Sequence, residues 1–440
     1  MTPPRVAIIG AGPTGTMLAR LLHLANIPVV IFEADASPNY RSQGGTLDLH
    51  PPTGLAALKQ AGLFEKFLEK ARYDGDALQI TDKDLRVYLK VEPTSTKHDN
   101  STTPVGGGGG GVAKQIAGQR PEIDRFELRK LLLESLPPDT IRWNMRLKRL
   151  SSSPSSNKPV LEFDSGQTET GFDLVVGADG AWSKVRSSFL SSVIPTFAGI
   201  GLIHLSIPDA EKTSPEVYRA VNRGNMFAYS TGKFLAVQQM GDGSINVYAQ
   251  TTQKDPHNWT TSEKWFHPDD ANLTRSSLIS EGGPFADWHP ILREAIQKAT
   301  AQCVPRTLFQ LPIGFTWDHK PGATLIGDAA HLMTPFAGEG VNVGLEDAMK
   351  LAQAIIGAKE GELDGAVRAY EAEMFPRAAK VAKLTDELRL AWMFTPGSPG
   401  SVIAKTTAMH VNKHAPGVLH PFVKMVVYGY FAGRKVVRGY

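Results

Sequence analysis

The sequence predicts an α/β protein with three parts: a domain of alternating strands and helices, a β-rich second domain and a C-terminal helical segment. Three observations support this prediction. The chain begins with an apolar strand, a glycine turn and a helix, the segment near residues 196–250 alternates apolar and polar residues, and residues 361–440 return to helical spacing. A chain of 440 residues with ordinary globular composition has room for two or three domains.

The first element is a βαβ unit. Val6–Ile9 is a continuous apolar run, as expected of a parallel strand that is buried on both faces. Gly10, Gly12 and Gly15 follow with the spacing of a turn that lets a pyrophosphate approach a helix N-terminus. Glu33 ends the next strand, where a carboxylate can accept both hydroxyls of an adenosine ribose. This Rossmann-like pattern predicts dinucleotide binding and does not distinguish NAD from FAD.

Two further glycine turns follow. Asp179 and Gly180 come after an apolar strand in "VVGADGAWSKVR", and Asp328 comes after another in "ATLIGDAAHLMTPFAGEGVN". A nicotinamide dinucleotide needs neither turn, whereas FAD extends its ribityl chain and tricyclic ring well beyond one βαβ crevice. We therefore expect Asp328 to hold a ribityl hydroxyl and the helix after Gly340 to point its N–H groups at a ring carbonyl. Pro335 and the glycines would keep that surface flat.

These three motifs, in this order and spacing, resemble those of the FAD-dependent aromatic hydroxylases, the single-component flavoprotein monooxygenases. Within that family, "EADASPNYRSQGGTLDLH", "PEIDRFELR", "SKVR" and "IGDAAHLMTPFAGEGVNVGLEDA" resemble the tetracycline-inactivating flavin monooxygenases. The resemblance covers residues 5–390 and implies a Rossmann-like FAD-binding domain of the glutathione-reductase type. The implied cofactor contacts are Gly10, Gly12, Gly15, Glu33, Arg41, Gly45, Asp48, Arg125, Asp179, Gly180, Asp328, Pro335, Gly338, Gly340, Val341 and Asn342.

The resemblance also implies the activity. NADPH or NADH would reduce FAD, and O2 would then add at the flavin C4a position. The resulting hydroperoxide would hydroxylate an aromatic or polyketide-like small molecule, and tetracycline-like compounds belong to this class of substrates. The nicotinamide donor should bind transiently, because the sequence contains no second dinucleotide motif. Two alternatives stay open: a flavin-dependent dehydrogenase or oxidase on the same scaffold, and a non-catalytic protein that binds flavin and a ligand.

Alignment with the tetracycline-inactivating enzymes suggests the substrate contacts, although the polar residue types differ and an arginine and a histidine are lost. The predicted substrate residues are His204, Asn225, Phe227, Gln238, Asn246, Phe336 and Gly338. His204 is the one catalytic candidate, as a base or hydrogen-bond acceptor for a phenol; the alternative is an inward strand residue satisfied by the backbone. Phe227, Tyr229 and Phe234 line a pocket or belong to the core. His331 is expected to pack at the base of its loop rather than transfer a proton.

The predicted domains are discontinuous. The FAD-binding domain comprises residues 1–73, 116–190 and 306–360, the substrate domain 74–115 and 191–305, and the C-terminal bridging helix and extension 361–440. Six consecutive glycines, 106–111, predict a surface loop, because such a run is costly to order.

Two helices are predicted by their apolar spacing. The first, in "PEIDRFELRKLLLESL", has Phe126, Leu128, Leu131 and Leu132 on or near its apolar side. The second is long and begins near Leu363, and Pro376 should kink it near Phe375.

Composition restricts the partners. A net charge of +3 with scattered basic residues makes no case for nucleic acid, and the lone Cys303 excludes a disulfide within the chain. The twelve histidines show no metal-ligand spacing, so no metal is expected. We expect a cytoplasmic monomer without a signal peptide. The apolar and basic tail after Gly397 is expected to form an extra helix beside the substrate domain, with a membrane-surface helix as the alternative.

Overall fold

The computed structural model describes residues 3–38, 44–73, 75, 77–92, 120–300, 302–414 and 419–438. The predicted glycine loop 106–111 and the predicted cofactor residue Arg41 lie outside these ranges. The chain divides into two compact units. Unit 1 comprises Met1–Ala71, Ile123–Ala198 and Phe309–Asp386, and unit 2 comprises Arg72–Glu122, Gly199–Leu308 and Glu387–Tyr440.

The described strands are β1 (Val6–Ile9), β2 (Val29–Phe32), β3 (Thr46–Asp48), β4 (Leu78–Asp82), β5 (Val87–Val91), β6 (Glu122–Asp124), β7 (Ile141–Arg142), β8 (Leu147–Ser152), β9 (Pro159–Phe163), β10 (Thr168–Glu169), β11 (Leu174–Gly177), β12 (Thr196–Ile207), β13 (Asn225–Ser230), β14 (Lys233–Gln239), β15 (Ile245–Thr252), β16 (Val304–Gln310) and β17 (Ala323–Leu325).

The described α-helices are α1 (Pro13–Leu24), α2 (Gly54–Gln60), α3 (Phe64–Leu68), α4 (Arg125–Glu134), α5 (Ala210–Thr213), α6 (Pro215–Val221), α7 (Trp259–Ser262), α8 (Ala271–Ile279), α9 (Pro290–Gln297), α10 (Asp328–His331), α11 (Gly340–Gly357), α12 (Leu363–Arg389), α13 (Ile403–His414) and α14 (His420–Arg438). Short π-helical turns cover Arg186–Leu190 and Leu390–Phe394, and a 3₁₀ turn covers Pro335–Ala337.

Unit 1 is built on a five-stranded parallel sheet with the strand order β17-β11-β1-β2-β7. Every residue of β1 and β11 is buried, which explains why both strands are continuous apolar runs. Because all five strands point the same way, the turns that follow β1, β2, β11 and β17 leave the sheet at one edge, which we call the carboxyl edge. The three glycine turns of the sequence therefore meet on one side of one sheet.

Helices α1 and α11 pack closely in unit 1 because small residues line their contact. An added side chain at Gly344 would place its Cβ 2.4 Å from Oγ1 of Thr14. Met17, Leu18 and Leu22 of α1 are completely buried in the same core. The close approach brings the N-terminus of α11 near that of α1, which matters for the site described below.

Unit 2 contains a mixed seven-stranded sheet with the order β16-β12-β15-β14-β13-β4-β5. Its described pairs are antiparallel except for β13 with β4, which are parallel. Alternate residues such as Ile203, Leu235 and Val247 are buried in one hydrophobic cluster with Val217 of α6 and Leu292 of α9. The period of two in the sequence is thus the signature of a sheet with one face covered by helices, and the α/β prediction is confirmed.

One local expectation needs correction. Phe126 was expected on the apolar side of α4, but it is 46% exposed whereas Leu128 and Leu132 are fully buried. Helix α12 contains Pro376 in its interior, as the predicted long helix requires, and the kink near Phe375 stays a prediction. The segment 361–440 is divided between the units: its part up to Asp386 belongs to unit 1 and the remainder to unit 2. None of the helices in the described ranges has the length and apolarity needed to span a bilayer.

Candidate active site

The turn after β1 uses each of its three glycines differently. An added Cβ at Gly10 would lie 2.4 Å from the carbonyl oxygen of Ala178, and one at Gly15 would lie 2.2 Å from the carbonyl oxygen of Gly10. A Cβ at Gly12 would meet nothing within 4 Å. Gly10 and Gly15 therefore permit the tight turn and the helix packing, while Gly12 leaves open space at the N-terminus of α1, where free N–H groups favour an anion.

Glu33 is held at the end of β2 by the same turn. Its carboxylate accepts hydrogen bonds from the backbone N–H of Ala11 at 2.5 Å and from that of Asp35 at 2.8 Å, and the residue is buried. Each carboxylate oxygen has a second lone pair, so this anchoring leaves acceptor capacity for ribose hydroxyls. Arg129 of α4 braces the region, since its guanidinium donates to the carbonyl oxygens of Pro38 and Ala11.

The turn after β11 contains an unsatisfied buried oxygen. Oδ2 of Asp179 accepts from the N–H groups of Lys184 at 2.6 Å and Val185 at 3.3 Å, whereas Oδ1 is buried without a hydrogen-bond partner among the described residues. Burial raises the pKa of this carboxyl, although the Ser183 side chain and the backbone donors oppose the shift. The neighbouring Gly180 has φ +76° and open space where a side chain would lie. An acceptor of this kind is suited to a hydroxyl donor from a ligand.

The turn after β17 lies against α1. Gly327 adopts φ +61°, and an added Cβ there would lie 3.0 Å from Oγ1 of Thr14. Asp328 then begins α10 with an exposed side chain that has no hydrogen-bond partner in the described chain. The N–H of Gly327 donates at 2.9 Å to the completely buried carboxylate of Asp347 in α11. The buried Asp347 therefore fixes the turn, while the carboxylate of Asp328 is exposed and available to accept hydrogen bonds from a ligand.

Asp347 is the centre of a buried ion-pair network. Its carboxylate contacts Nε2 of His331 at 2.5 Å and Nη2 of Arg377 at 3.0 Å. Burial alone would raise the pKa of Asp347, but the two cationic partners outweigh burial and lower it. Burial would likewise lower the pKa of His331, and the nearby Asp347 raises it instead. His331 is thus buried and paired with Asp347 at the base of its loop, and the expectation that it takes no part in proton transfer stays a prediction.

The segment from Pro335 to Asn342 has little exposed side chain. Pro335 and Gly338 are exposed, Gly338 adopts φ +66°, and an added Cβ at Gly340 would meet nothing within 4 Å. The first turn of α11 carries no acidic residue, so its free N–H groups can face an electron-rich atom. Val341 is half-buried in that turn. This surface is flat and rich in backbone donors.

Asn342 holds this segment to the strand β3. Its Oδ1 accepts from the N–H of His50 at 2.8 Å, and its Nδ2 donates to the carbonyl oxygen of Asp48 at 2.8 Å. Nε2 of His50 lies 2.9 Å from Asp48 and its Nδ1 lies 3.4 Å from Glu339. Burial lowers the pKa of His50, but the two carboxylates outweigh that effect and raise it. The completely buried amide of Asn342 therefore connects the N-terminus of α11 to the backbone of Asp48 and His50.

Gly45 and Arg125 are joined by their backbones. The N–H of Arg125, the first residue of α4, donates to the carbonyl oxygen of Gly45 at 3.1 Å, and the Arg125 side chain is exposed. The resemblance placed both residues along the cofactor, and the structure brings them together within unit 1.

In unit 2, the five predicted substrate residues share one face of the seven-stranded sheet. Asn225 pairs with Gln238, and Gln238 pairs with Asn246, across β13, β14 and β15. Their sequence neighbours on each strand belong to the helix-covered cluster, so these side chains project from the other face. We call this surface the substrate face; its predicted members are His204, Asn225, Phe227, Gln238 and Asn246.

Amide side chains form a row across the substrate face. Nε2 of Gln238 donates to Oδ1 of Asn225 at 2.8 Å, and Nδ2 of Asn225 donates to Glu122 at 2.6 Å. Nδ2 of Asn246 contacts the sulfur of Met240 at 3.1 Å. The row is ordered by its own hydrogen bonds, which fixes the direction of each amide before a ligand arrives.

His204 lies at one end of this row. Its ring stacks on Tyr248 with 4.7 Å between centroids, and its Nε2 lies 3.2 Å from Oδ1 of Asn246. An amide oxygen only accepts, so Nε2 carries the proton and Nδ1 presents a lone pair. Burial lowers the pKa of His204 below the usual 6.5; its hydrogen bond to Asn246 opposes this shift, and the positive charge of Arg306 adds to it. The imidazole is therefore neutral at pH 7 and can accept a hydrogen bond.

Aromatic side chains flank the amide row. Phe227 packs edge-on against Phe234 at 5.5 Å, and Tyr229 stacks on both Phe234 and Trp392 at 4.2 and 4.5 Å. Tyr229 and Phe234 are buried and belong to the packing, while Phe227 is half-buried. The two other predicted substrate residues, Phe336 and Gly338, belong to unit 1.

Comparison with known proteins identifies the family. A profile described as "FAD binding domain" matches residues 4–270 and 319–385. The chain belongs to this family. Monooxygenase penA of Penicillium thymicola is 30% identical over 427 residues, which cover 87% of this chain and 93% of the relative. The protein is an FAD-dependent monooxygenase.

Solved structures share the fold. HpxO of Klebsiella pneumoniae, in complex with FAD and uric acid, superposes with a TM-score of 0.70 at 18% identity, covering 96% of this chain and 97% of that one. The tetracycline destructase Tet(51) superposes with a TM-score of 0.65 at 18% identity, covering 97% and 98% of the two chains. The resemblance to flavin monooxygenases, tetracycline-inactivating enzymes among them, is thereby confirmed at the level of fold.

The residues of unit 1 fit FAD. Open space at Gly12, Gly180 and Gly340 accommodates a ligand that approaches the backbone, and the unpaired Oδ1 of Asp179 and the free carboxylate of Asp328 are acceptors for its hydroxyls. The N-termini of α1 and α11 have no acidic residue in their first turns. The described residues contain no cluster of His, Cys, Asp and Glu that could hold a metal ion.

Sequence reasoning missed the residues that fix the turns from behind. His50, Arg129, Asp347 and Arg377 were not singled out, although His50 stands in "TLDLH" and Asp347 in "GLEDA". The available signal was a charged or titratable residue inside an otherwise apolar pattern. Such a residue is predicted to be buried, and a buried charge requires a partner.

Proposed function

We propose that this monooxygenase hydroxylates a phenolic aromatic or polyketide-like small molecule, using NADPH or NADH and O2. The proposal is supported chiefly by the state of His204. This residue is a neutral imidazole whose Nδ1 lone pair faces away from its hydrogen bond to Asn246. A phenol that donates to this nitrogen becomes more electron-rich at its ring carbons, which favours attack by an electrophilic oxygen. A cytoplasmic location is part of the same proposal, because the single cysteine fits a reducing compartment, and the proposed oligomeric state is a monomer.

Bound FAD supplies the reduction of O2 and the oxygen transfer. The chain's own residues bind and orient. The N-terminus of α1 and Gly12 would hold the pyrophosphate, Glu33 the adenosine ribose, and Asp328 the ribityl chain. The backbone donors at Gly340 and Val341 would stabilise negative charge on the ring.

The substrate face supports a substrate with several oxygen atoms. Asn225, Gln238 and Asn246 are neutral and offer both donors and acceptors, so they suit hydroxyl and carbonyl groups. Tetracycline-like compounds are candidates within this class, because the fold neighbours include a tetracycline destructase.

Turnover distinguishes this proposal from its alternatives. Purified protein is incubated with NADPH or NADH, O2 and a panel of phenols, anthraquinones and tetracyclines. We expect one class to accelerate NAD(P)H oxidation and to acquire one labelled oxygen atom from O2. Product formed without labelled oxygen would indicate a dehydrogenase or oxidase, and binding without faster NAD(P)H oxidation would indicate a ligand-binding protein.

The role of His204 has its own test. His204→Gln should lower kcat/KM for the accepted phenol about 100-fold, a typical contribution of a positioned acid or base. Because the pKa of His204 is lowered, wild-type activity should fall only as the pH drops below 6.5, and the variant should lose that acidic limb. Ser206→Ala, on the same strand and face two residues away, is the control and should retain the limb. An unchanged pH profile in His204→Gln would remove His204 from the mechanism.

A further inference from the structure

The C-terminal part of the chain has an unusual charge. Residues 388–440 contain no aspartate or glutamate, and they carry seven basic residues: Arg389, Lys405, Lys413, Lys424, Arg434, Lys435 and Arg438. The formal charge of this segment is therefore +7, in a chain whose net charge is only +3. A positive field confined to one segment favours an anionic partner.

Helix α14, within this segment, presents apolar side chains to solvent. Phe422, Met425 and Val426 are 61%, 65% and 38% exposed, and their spacing places them on one side of the helix. Val427 and Phe431, on the opposite side, are buried at 3% and 8%. The helix packs against α13, and among the described residues its outer stripe, Phe422–Met425–Val426, stays exposed.

The interruptions noted in the sequence do not break this stripe. Pro421 is the second residue of α14, where proline is tolerated because the first N–H groups of a helix have no partner within it. Gly429 is exposed within the helix and Gly433 is too, so they extend the outer side without adding polar groups. The extra helix expected from the sequence therefore also has an amphipathic surface.

We propose that α14 attaches the protein peripherally to an anionic lipid bilayer. The Phe422–Met425–Val426 stripe would enter the boundary between headgroups and acyl chains, and the basic residues of 388–440 would attract the anionic headgroups. Tyr428 and Tyr430 are exposed at 47% and 43%, and aromatic rings with a polar end favour that boundary. The helix would lie on the bilayer surface.

Charge distinguishes a bilayer from a second copy of this chain. A two-fold contact through α14 would bring two segments of charge +7 together, which opposes association. An anionic bilayer satisfies both the apolar stripe and the positive charge. The proposal replaces the sequence-based expectation that the protein has no membrane partner.

Vesicle sedimentation with the full-length protein tests the proposal. The probes are phosphatidylcholine vesicles with and without phosphatidylserine. We expect binding to the anionic vesicles to be at least about tenfold tighter and to weaken as salt is added. Phe422→Glu combined with Met425→Glu should weaken it at least about tenfold, because charged residues replace the inserted apolar groups.

The control is Ile194→Glu, which matches the Met425→Glu substitution by placing one negative charge at an apolar residue of unit 1 that is also 65% exposed. It should bind like the wild type, and FAD content should be equal in all variants. Lys424→Glu supplies a second variant that changes charge alone and should weaken binding to anionic vesicles only.

Three results would overturn the proposal: wild-type protein that stays in solution with both vesicle types, binding that is unchanged in the double variant, or a dimer of the wild type that Met425→Glu dissociates in the absence of vesicle binding.

Discussion

The carboxyl edge of unit 1 and the substrate face of unit 2 are built from different parts of the chain. At the carboxyl edge, the surface offered to a ligand is mostly backbone, with open space at Gly12, Gly180 and Gly340. At the substrate face, it is mostly side chains, contributed by β12 to β15 and ordered by bonds such as that between Gln238 and Asn225. Backbone surfaces need glycine at fixed spacing, whereas a side-chain surface permits many residue types.

The two surfaces also differ in the groups that support them. The turns at the carboxyl edge are fixed by buried ionic groups behind them, with Asp347 bound to Gly327, His331 and Arg377. The substrate face is supported by the apolar cluster on the other side of its sheet. We therefore expect substitutions behind the edge to damage stability more than substitutions on the face.

Asp347→Asn should have the largest effect on stability. The substitution leaves His331 and Arg377 without their shared buried anion, and loss of one partner in such a network typically destabilises by about 3–5 kcal/mol. Urea unfolding of the two proteins measures the difference. Glu346→Gln, a neighbour that contacts Arg377 from a half-buried position, is the control and should change stability by less than about 1 kcal/mol.

The effect of Asp347→Asn should depend on pH. The pKa of Asp347 is lowered by folding, so its contribution is present above the usual value of 3.8 and is lost as the pH falls through the lower folded value. The pKa of His331 is raised, so its contribution is present below 6.5 and is lost as the pH rises through the higher folded value. The stability difference should be widest between these limits; a constant difference would show that the ion pair is not its source.

Gly15→Ala and Gly12→Ala separate packing from ligand contact. Alanine at position 15 places Cβ against the Gly10 carbonyl at 2.2 Å, and overpacking of this kind typically destabilises by about 1–3 kcal/mol. Alanine at position 12 meets nothing and should leave the stability of the protein without FAD unchanged while weakening FAD binding. Thermal unfolding and flavin absorbance measure the two effects; equal destabilisation by both would contradict the separation.

Asn225→Leu probes the substrate face itself. The variant removes the bond to Glu122 and the acceptor of Gln238, which should destabilise by about 1–2 kcal/mol. FAD content should remain normal, because the carboxyl edge belongs to unit 1. Loss of flavin in this variant would show that the two surfaces are not independent.

Phe126→Ser should have the smallest effect, within about 0.5 kcal/mol, because the ring is 46% exposed. Leu128→Ser, two residues along the same helix and fully buried, is the contrasting variant and should destabilise strongly. A similar loss of stability in both variants would show that Phe126 belongs to the core.

The sequence alone was sufficient for the carboxyl edge. Tight turns, anion-binding helix N-termini and buried parallel strands each demand particular residues at short spacing, so the glycines near Gly10, Asp179 and Asp328 could be recognised one turn at a time. Parallel pairing then brings such turns to one edge, which is why their meeting could be expected before the structure was known.

Only the tertiary structure decided the partners of the buried charges and the contents of the substrate face. Asp347 meets Arg377 from a different helix, and Asn225 meets Gln238 and Glu122 from different strands, so no local spacing records these contacts. The exposure of the stripe on α14 could not be predicted either, because the sequence of an apolar helix does not record whether its outer side is covered or faces solvent. Local conformation depends on neighbours in sequence, whereas burial and pairing depend on neighbours in space.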